Sequence, residues 1–265
     1  MGDLTALVTG ASDGIGLEFC RVLAGRGYRL VLVARREEKL RHAAEMLERE
    51  YGTDCTILSA DLSVPGAAQA LFQVSQECDL EIDFLINNAG LLFNGYFTEL
   101  DLAGQEQLMM LNMVTLSSLC HLFANDMETR RGGHILNVAS TAAWMPLPTQ
   151  NVYAASKSYV LSFTLALADE LRASGSPVSV CALCPGYTAT RMLDNPDQGG
   201  RLKVPAVLIQ SAERVARKGI SACLAGKPSY IPDPGNRMIA GLSQLLPKRW
   251  MTALMGRTYR RMMEN

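Results

Sequence analysis

Short apolar runs alternate with longer amphipathic stretches along most of this 265-residue chain. Residues 17–26, for example, repeat their apolar positions at helical spacing. Strands that alternate with helices form parallel sheets covered on both faces. The pattern therefore predicts an α/β fold, a doubly wound parallel sheet in a three-layer sandwich. Its strands are predicted at residues 3–9, 28–34, 54–59, 82–87, 133–139, 177–184 and 228–231.

Composition and charge favour one domain that does not bind nucleic acid. Apolar residues make up 48% of the chain, enough for one substantial core, and no repeat or long linker divides it. We expect residues 1–265 to form a single domain. Lysine plus arginine number 25 and aspartate plus glutamate number 26, a balance that gives nucleic acid little to bind.

The sequence shows no targeting signal. The N-terminal residues contain no basic segment or apolar signal core, and no run approaches the roughly 18 apolar residues of a membrane span. The seven cysteines are odd in number and lack periodic spacing, which favours free thiols in a reducing compartment. We expect a cytoplasmic protein.

Cys181 and Cys184 form a Cys-x-x-Cys pair that invites a redox or zinc interpretation. The pair lies on a predicted strand, where residues three apart face opposite sides of the sheet, and no second ligand pair accompanies it. The three histidines show no ligand spacing either. Buried structural thiols are the favoured interpretation, and no metal site is predicted.

The segment from Tyr153 to Lys157 carries the most informative chemistry. A tyrosine and a lysine four apart on a helix project from the same face, one turn apart. Because an ammonium favours the phenolate, we expect the pKa of Tyr153 to fall below its usual value of about 10. Such a phenol can exchange a proton with a carbonyl or alcohol oxygen, to which Ser140 could present its hydroxyl. The alternative is a helix face that is merely solvated.

A glycine turn follows the first predicted strand. Gly10, Gly14 and Gly16 separate the apolar run 4–8 from the helical stretch 17–26. Glycines in such a turn let the backbone approach a pyrophosphate, which the N-terminal N–H groups and dipole of the next helix then favour. A tight structural turn would explain the same glycines.

These motifs together resemble the short-chain dehydrogenases/reductases, in a match that covers roughly residues 3–191. The resemblance implies a Rossmann-type sheet of about seven strands and an oxidoreductase that uses a nicotinamide dinucleotide. It rests on Thr9-Gly10-x-x-x-Gly14-x-Gly16, Asp61-Leu62, Asn87-Asn88-Ala89-Gly90, Asn112, Ser140, Tyr153-x-x-x-Lys157 and Pro185-Gly186.

The choice between NAD and NADP depends on the end of the second predicted strand. NAD-preferring members of the family have an acidic residue there for the ribose 2′-hydroxyl, whereas this chain has Ala34, followed by Arg35 and Arg36. A guanidinium can pair with a 2′-phosphate that no carboxylate repels. We therefore expect NADP, with Arg35 as its main contact, although both arginines could simply be solvated at a helix start.

The resemblance also implies the remaining cofactor contacts. Asp61 could instead cap a helix, and the run that contains Asn88 could simply form a turn. The implied cofactor-binding residues are Gly10, Ser12, Asp13, Gly14, Ile15, Gly16, Arg35, Asp61, Leu62, Asn88, Ala89, Gly90, Tyr153, Lys157, Pro185, Gly186, Thr188 and Thr190.

By the same resemblance, four residues carry catalysis. Tyr153 would be the general acid, and Lys157 would lower its pKa and bind the nicotinamide ribose. Ser140 would orient the substrate oxygen and stabilise developing charge. Asn112 would hold a water that connects Lys157 to solvent, although a buried asparagine can also simply satisfy backbone groups.

The substrate is expected to lie among residues 91–97, 142–151 and the region after Thr190. Few charges occur there, which favours an apolar or lipid-like carbonyl compound, although the same residues could pack against a neighbour or a lid. By resemblance, residues 191–226 form the substrate loop or lid region. The apolar residues expected to wall the pocket are Leu92, Phe93, Tyr96, Phe97, Trp144, Met145, Leu147 and Pro148.

Residues 234–265 are predicted to be a C-terminal helical tail. Within residues 247–265, five basic residues against one glutamate give a net charge of +4. Such a helix could lie on an anionic membrane surface, pack over the substrate cleft, or pack against a second subunit. The apolar residues that recur there at helical spacing are Trp250, Met251, Leu254, Met255, Tyr259 and Met262.

The leading interpretation is an NADPH-dependent reductase that transfers hydride to an apolar ketone or aldehyde, reversibly. A 3-oxoacyl thioester reductase is the nearest alternative. An NADP-binding sensor or scaffold without turnover is the alternative from another class, and the complete tetrad counts against it. By resemblance, helices near residues 102–130 and 151–174 would form the face of a homodimer or homotetramer.

Overall fold

The seven predicted strands form one parallel sheet in the computed structural model, which describes residues 4–193 and 203–264. Their order across the sheet is β3-β2-β1-β4-β5-β6-β7, and every neighbouring pair is parallel. The predicted fold class is confirmed. The strands are β1 Thr5–Thr9, β2 Arg29–Ala34, β3 Cys55–Ser59, β4 Phe84–Asn87, β5 Gly133–Val138, β6 Val178–Leu183 and β7 Ser229–Tyr230.

Helices cover both faces of this sheet. A π-helical turn, Met110–Thr115, joins α4 to α5 without a break in the chain direction. The helices are α1 Gly14–Ala24, α2 Glu37–Tyr51, α3 Ala67–Glu77, α4 Leu102–Met109, α5 Leu116–Thr129, α6 Asn151–Ala173, α7 Ala212–Leu224, α8 Pro234–Leu245 and α9 Lys248–Glu264.

Two apolar cores lie on opposite faces of the sheet because successive strand residues point to opposite sides. Val8 of β1 belongs to the core under α1, α2 and α7, which includes Phe19. Leu7 belongs to the other core, under α3, α5 and α6, which includes Phe123. Both faces of β1 are therefore buried, as expected for a central parallel strand.

The direction in which strands are added reverses between β1 and β4. From β1 the chain proceeds outward through β2 and β3, and it then returns to place β4 on the other side of β1. Connections that diverge in this way leave a crevice at the carboxyl ends of the two strands. The predicted glycine turn and the Asn87-Asn88-Ala89-Gly90 motif follow these two strand ends.

The predicted lid region, residues 191–226, is only partly a loop. Residues 194–202 lie outside the described part of the chain. The last part of the range is α7, which packs against α1 and the sheet, and Val215 and Ile220 are fully buried there. The lid prediction is therefore wrong for α7, because its strong apolar face belongs to the core.

One continuous helical segment, Leu102–Thr129, is long and apolar enough to cross a membrane by length and composition alone. From the sequence we expected no stretch that approaches a membrane span, and this segment corrects that expectation. Core helices of soluble proteins often pass the same test. Here Leu119, Phe123 and Met127 are buried against the sheet, so core packing accounts for part of the apolar character of this segment, 44% of whose apolar window is buried.

The Cys-x-x-Cys pair behaves as its strand position predicts. Cys181 belongs to one core and Cys184 to the other, so the two thiols lie on opposite faces of the sheet. Both are buried free thiols, as predicted. Within residues 4–193 and 203–264, no three potential metal-ligating side chains come together.

The C-terminal tail folds onto the domain as α8 and α9. Met251 and Tyr259 of α9 are buried, and Tyr259 packs with Ala142, Leu147 and Ala154. Of the three alternatives for the tail, packing over the cleft is thus observed. Trp250 stays exposed, and contact of this outer side with a membrane stays a prediction.

Truncation of Phe123 tests the core beneath α5. We expect Phe123→Ala to lower the free energy of unfolding by about 3–5 kcal/mol, because it removes a fully buried ring and leaves a cavity. Phe97→Ala is the matched control, since 55% of Phe97 is exposed and its loss should change little. Urea unfolding of both variants measures the difference, and equal stabilities would contradict the assignment of Phe123 to the core.

Candidate active site

A cleft of about 1020 Å³ opens at the carboxyl ends of the central strands. Its walls include the glycine turn, the residues after β2 and β4, the start of α6, the loop after β6, and Tyr259 of α9. Sixteen of the predicted site residues line it. These are Gly10, Ser12, Asp13, Gly14, Ile15, Arg35, Asp61, Leu62, Asn88, Ala89, Gly90, Ser140, Tyr153, Lys157, Thr188 and Thr190.

Four further predicted residues also belong to this region. Pro185 and Gly186 also line the cleft, which brings the number of predicted residues there to eighteen, whereas Gly16 and Asn112 lie behind its wall. Gly16 is buried in the first turn of α1, and Asn112 is buried in the π-helical turn.

The glycine turn is too tight to accommodate side chains at its glycine positions. Gly10 has φ of +68° and Gly14 has φ of +56°. A Cβ on Gly16 would lie 2.0 Å from the Gly10 carbonyl oxygen. Asp13 caps α1 by accepting a hydrogen bond from Gly14 N at 2.8 Å. The turn is therefore structurally tight. It also lies at the N-terminus of α1, where the free backbone N–H groups can bind the pyrophosphate of a dinucleotide.

Thr9 fastens this turn to the end of β4. Its Oγ1 accepts hydrogen bonds from the backbone N–H groups of Asn88 at 2.9 Å and Ala89 at 3.0 Å. Asn88 Nδ2 in turn donates to the Thr9 carbonyl at 2.9 Å. The Asn88 side chain thus holds the cleft walls together, and the wall at this point consists largely of backbone.

Positive side chains gather where β2 ends. Arg35 and Arg36 are exposed and line the cleft directly after Ala34. Desolvation and the charges of Arg36 and Arg191 lower the pKa of Lys39. The end of β2 therefore lacks a carboxylate, as predicted, and has more positive side chains nearby than the two arginines named in the sequence analysis.

Asp61 lies on the opposite wall of the same end. Although partial burial works to raise it, hydrogen bonds from Ser63 and the charge of Arg35 hold the pKa of Asp61 below its ordinary value. Both the backbone N–H and the hydroxyl of Ser63 donate to Asp61 Oδ1. One carboxylate oxygen thus closes a local turn, whereas the alternative of a helix cap is not observed, because the N-cap of α3 is Gly66.

The cleft also brings together three predicted catalytic residues, Ser140, Tyr153 and Lys157. Ser140 begins a short 3₁₀ turn, where its Oγ accepts from Ala142 N at 3.1 Å. Lys157 Nζ donates to the Val138 carbonyl at 2.8 Å and lies 5.7 Å from the centre of the Tyr153 ring. The predicted one-turn spacing on α6 is confirmed, and the alternative of a merely solvated face is excluded because Lys157 is buried.

The expected fall in the pKa of Tyr153 is wrong for this structure. Burial raises the pKa of Tyr153 to about 12, and a hydrogen bond with Ser140 offsets only part of that rise. Burial also lowers the pKa of Lys157 to about 8, so its charge is itself weakened near neutral pH. Helical spacing places the two groups correctly but contains no information about desolvation, which dominates both values.

Asn112 uses its side chain to hold the wall of the cleft. Its Oδ1 accepts from Leu91 N at 2.9 Å, and its Nδ2 donates to the Leu91 carbonyl at 3.0 Å and to Ser156 Oγ at 3.1 Å. The alternative in which this amide satisfies backbone groups is therefore observed. A water held by Asn112 stays a prediction.

The loop after β6 crosses back to the glycine turn. Thr188 is buried and donates to the Gly186 carbonyl at 3.0 Å, while Thr190 lies against Gly14. Arg191 pairs with Asp13 at 3.1 Å. These contacts place the predicted loop over the glycine turn.

Each of the three predicted substrate segments contributes lining residues to the cleft, but most of the apolar side chains named for them do not line it. Of the eight apolar residues expected there, only Leu92 lines the described part of the cleft. Tyr96 and Phe97 are largely exposed, and Leu147 packs against α9, as the alternative of packing against a lid anticipated.

Sequence reasoning did not name Tyr259 as a cleft residue, although this residue lines the cleft. Tyr259 was noted only as part of the apolar face of the tail. Packing of the tail over the cleft was one of the three alternatives, but the sequence pattern did not indicate which residue of the tail would reach the cleft.

The family model described as short chain dehydrogenase matches residues 4–199. The chain belongs to the short-chain dehydrogenase family. This dehydrogenase is 33% identical over 238 residues to mouse (Mus musculus) 17-beta-hydroxysteroid dehydrogenase type 3, a match that covers 85% of the chain and 77% of the relative. It is 32% identical to the very-long-chain 3-oxoacyl-CoA reductase of Anas platyrhynchos, over 71% of the chain and 60% of that relative. The dehydrogenase therefore spans less than two thirds of the length of this second relative.

A further relative is the human (Homo sapiens) inactive hydroxysteroid dehydrogenase-like protein 1, 30% identical over 85% of the chain and 68% of the relative. Two solved structures share the fold. A Sphingobium yanoikuyae short-chain dehydrogenase in complex with NADPH has a TM-score of 0.79 and 29% identity, covering 92% of this chain and 97% of that one. A Burkholderia phymatum family member in complex with NAD has a TM-score of 0.80 and 25% identity, covering 91% and 92%. The dehydrogenase is an oxidoreductase that uses a nicotinamide dinucleotide.

The buried lysine gives this dehydrogenase a testable pH dependence. Between about pH 8 and 10.5 the unfolded chain keeps a proton that folded Lys157 has lost, so the free energy of unfolding should rise with pH. Tyr153 acts in the opposite direction only above its unfolded pKa of 10.0, because its folded pKa is about 12. We expect wild type to gain stability relative to Lys157→Met as pH rises from about 8 to about 10.

Urea unfolding of the cofactor-free proteins at a series of pH values measures this difference. Lys248→Met, which removes an exposed lysine on α9, is the control for the loss of one positive charge. A stability difference between wild type and Lys157→Met that does not change with pH would contradict the lowered pKa.

Proposed function

We propose that this protein is an NADPH-dependent reductase that converts an apolar or lipid-like ketone or aldehyde to an alcohol, reversibly. The observation that carries the proposal is the meeting of Ser140, Tyr153 and buried Lys157 in one cleft with the glycine turn. Apolar groups from Leu91, Leu92 and Ala142 line the same cleft and suit an apolar substrate.

The protein residues manage the proton and the oxygen. The Ser140 hydroxyl and the Tyr153 phenol bind the carbonyl oxygen, and Tyr153 Oη gives its proton to that oxygen as the carbonyl carbon is reduced. The bound cofactor supplies the hydride. The phenolate that remains is stabilised by the Ser140 hydroxyl and by the Lys157 ammonium, because opposite charge and hydrogen bonding both favour the ionised form.

The preference for NADP over NAD is supported by charge. Arg35, Arg36 and Lys39 gather beside the end of β2, where an acidic residue would favour the free 2′-hydroxyl of NAD. A guanidinium can bind a 2′-phosphate through two parallel hydrogen bonds. The NADPH complex of the Sphingobium yanoikuyae relative agrees with this choice, whereas the NAD complex of the other neighbour shows that the fold accepts either.

The substrate class is supported by relatives of two kinds. One is a hydroxysteroid dehydrogenase and another a very-long-chain 3-oxoacyl-CoA reductase, and both names describe bulky apolar substrates. A thioester reductase is therefore retained as the second candidate. The relative named as inactive keeps the sensor alternative open, but the complete tetrad here favours turnover.

Removal of the phenol hydroxyl tests the reaction. We expect Tyr153→Phe to lower kcat by at least about a hundredfold, because a positioned general acid contributes about that much or more. The measurement is NADPH oxidation at 340 nm against aldehydes, ketones, steroids and 3-oxoacyl thioesters. Tyr51→Phe, at an exposed tyrosine of α2, should keep wild-type rates. Tight NADPH binding without turnover of any compound by wild type would favour the sensor.

A charge change tests the cofactor preference. We expect Arg35→Ala to raise the Kd for NADPH by about tenfold to a hundredfold, since hydrogen bonds to charged groups contribute about 1.5–3 kcal/mol. Its Kd for NADH should change little, because NADH has no 2′-phosphate. Arg49→Ala, at an exposed arginine of α2, is the matched control. Equal effects of Arg35→Ala on both cofactors would contradict NADP recognition by this residue.

A further inference from the structure

Two tyrosine hydroxyls meet in the cleft, and the proposed reaction uses neither. Tyr187 follows the Pro185-Gly186 turn after β6, and Tyr259 comes from α9 near the end of the chain. Their hydroxyl oxygens are 2.7 Å apart and hydrogen-bonded. Both residues line the same cleft as Ser140 and Tyr153.

The surroundings of this pair are apolar. Tyr259 is only 8% exposed, and the cluster around it contains Ala142, Leu147 and Met255. Tyr153 and Tyr187 belong to the same cluster. Burial of a hydroxyl in such surroundings costs free energy unless the hydroxyl is hydrogen-bonded. The number of hydrogen bonds that the pair can form is therefore relevant to its function.

One hydrogen bond does not use the full capacity of two hydroxyls. Each phenol has one hydrogen and can also accept, so a bond between them leaves one O–H hydrogen and further lone pairs. Within residues 4–193 and 203–264, the structure gives these two hydroxyls no hydrogen-bond partner except each other. The pair can therefore donate to, and accept from, a molecule in the cleft.

The pair is held in place from both sides. Met251 anchors α9 in the domain, and Gly256 lets the helix approach the 142–151 region, because a Cβ there would lie 3.2 Å from Pro148 Cγ. Tyr187 is held by its backbone, whose carbonyl accepts from Gln210 N at 2.9 Å. Burial raises the pKa values of Tyr187 and Tyr259, so both phenols stay neutral near pH 7.

We propose that Tyr187 and Tyr259 form a second polar subsite, which binds a neutral oxygen of the substrate in addition to the carbonyl held by Ser140 and Tyr153. The substrate is then an apolar ketone or aldehyde with a second hydroxyl or carbonyl group. A carboxylate suits the subsite less well, because apolar neighbours disfavour a buried charge. This inference rests on the proposed carbonyl reduction and makes its substrate class narrower.

Matched pairs of ligands test the subsite without requiring turnover. The probes are methyl ketones of increasing chain length, each with and without a terminal hydroxyl, so that a flexible chain can reach the pair. Their Kd values are measured by calorimetry on the full-length protein saturated with the oxidised cofactor, a complex in which a ketone cannot be reduced, and constant absorbance at 340 nm checks that the terminal hydroxyl is not oxidised. We expect the best hydroxylated ketone to bind wild type about tenfold more tightly than its unsubstituted partner.

Removal of either phenol hydroxyl should abolish this preference. We expect Tyr259→Phe and Tyr187→Phe each to bind the two ketones equally, and the double variant to lose no more, because the two hydroxyls act as one unit. Tyr96→Phe, at an exposed tyrosine outside the cleft lining, should keep the wild-type preference. Thermal unfolding of each variant shows whether α9 stays docked.

The results separate this inference from the proposed function. A hydroxyl preference that both tyrosine variants abolish supports the subsite, whether or not the ketones are turned over. No preference at any chain length in wild type overturns it, as does a preference that survives in Tyr259→Phe or losses that add in the double variant. Turnover that depends on Tyr153 but shows no hydroxyl preference would retain the reductase and reject the subsite.

Discussion

The proposed reaction depends on an ammonium buried beside a phenol. Lys157 is 5% exposed, and its Nζ is held by the Val138 carbonyl at the carboxyl end of β5. The β4 loop lies beside this ammonium, where a Cβ on Gly90 would be 3.6 Å from Nζ, an ordinary contact. The sheet, the helix and the β4 loop must therefore all be in place before the lysine and the phenol can meet.

Burial of this pair also favours the protonated form of the phenol. A phenol whose pKa is raised to about 12 is protonated at any physiological pH, which is the form that can protonate a carbonyl oxygen. Oxidation of an alcohol would begin from the phenolate, the form that burial disfavours. Desolvation thus keeps Tyr153 in its acid form.

The sequence predicted the fold well because the signals are local and repeated. Each buried strand is a short apolar run such as Leu30–Val33 within β2, and the glycine spacing fits a turn that only glycine can adopt. The tetrad was predictable through family motifs. The direction of the pKa shift of Tyr153 was not, because it depends on how many atoms surround the hydroxyl, and helical spacing does not specify that number.

The substrate side shows the same limit at longer range. Tyr96 and Phe97 are apolar neighbours of a site motif, yet they are exposed, whereas Tyr259 reaches the cleft from 72 positions beyond Tyr187. The apolar face of α9 was visible in the sequence, but a helical pattern states only that one face is buried, not what it is buried against. In the structure, the apolar residues of α9 fall into a buried group and an exposed group. Met251 and Tyr259 pack on the domain, while Trp250 and Leu254 remain exposed among the basic residues of the tail. Packing over the cleft therefore explains why Met251 and Tyr259 are apolar. Any contact with a membrane or a second subunit would have to use the exposed residues Trp250 and Leu254.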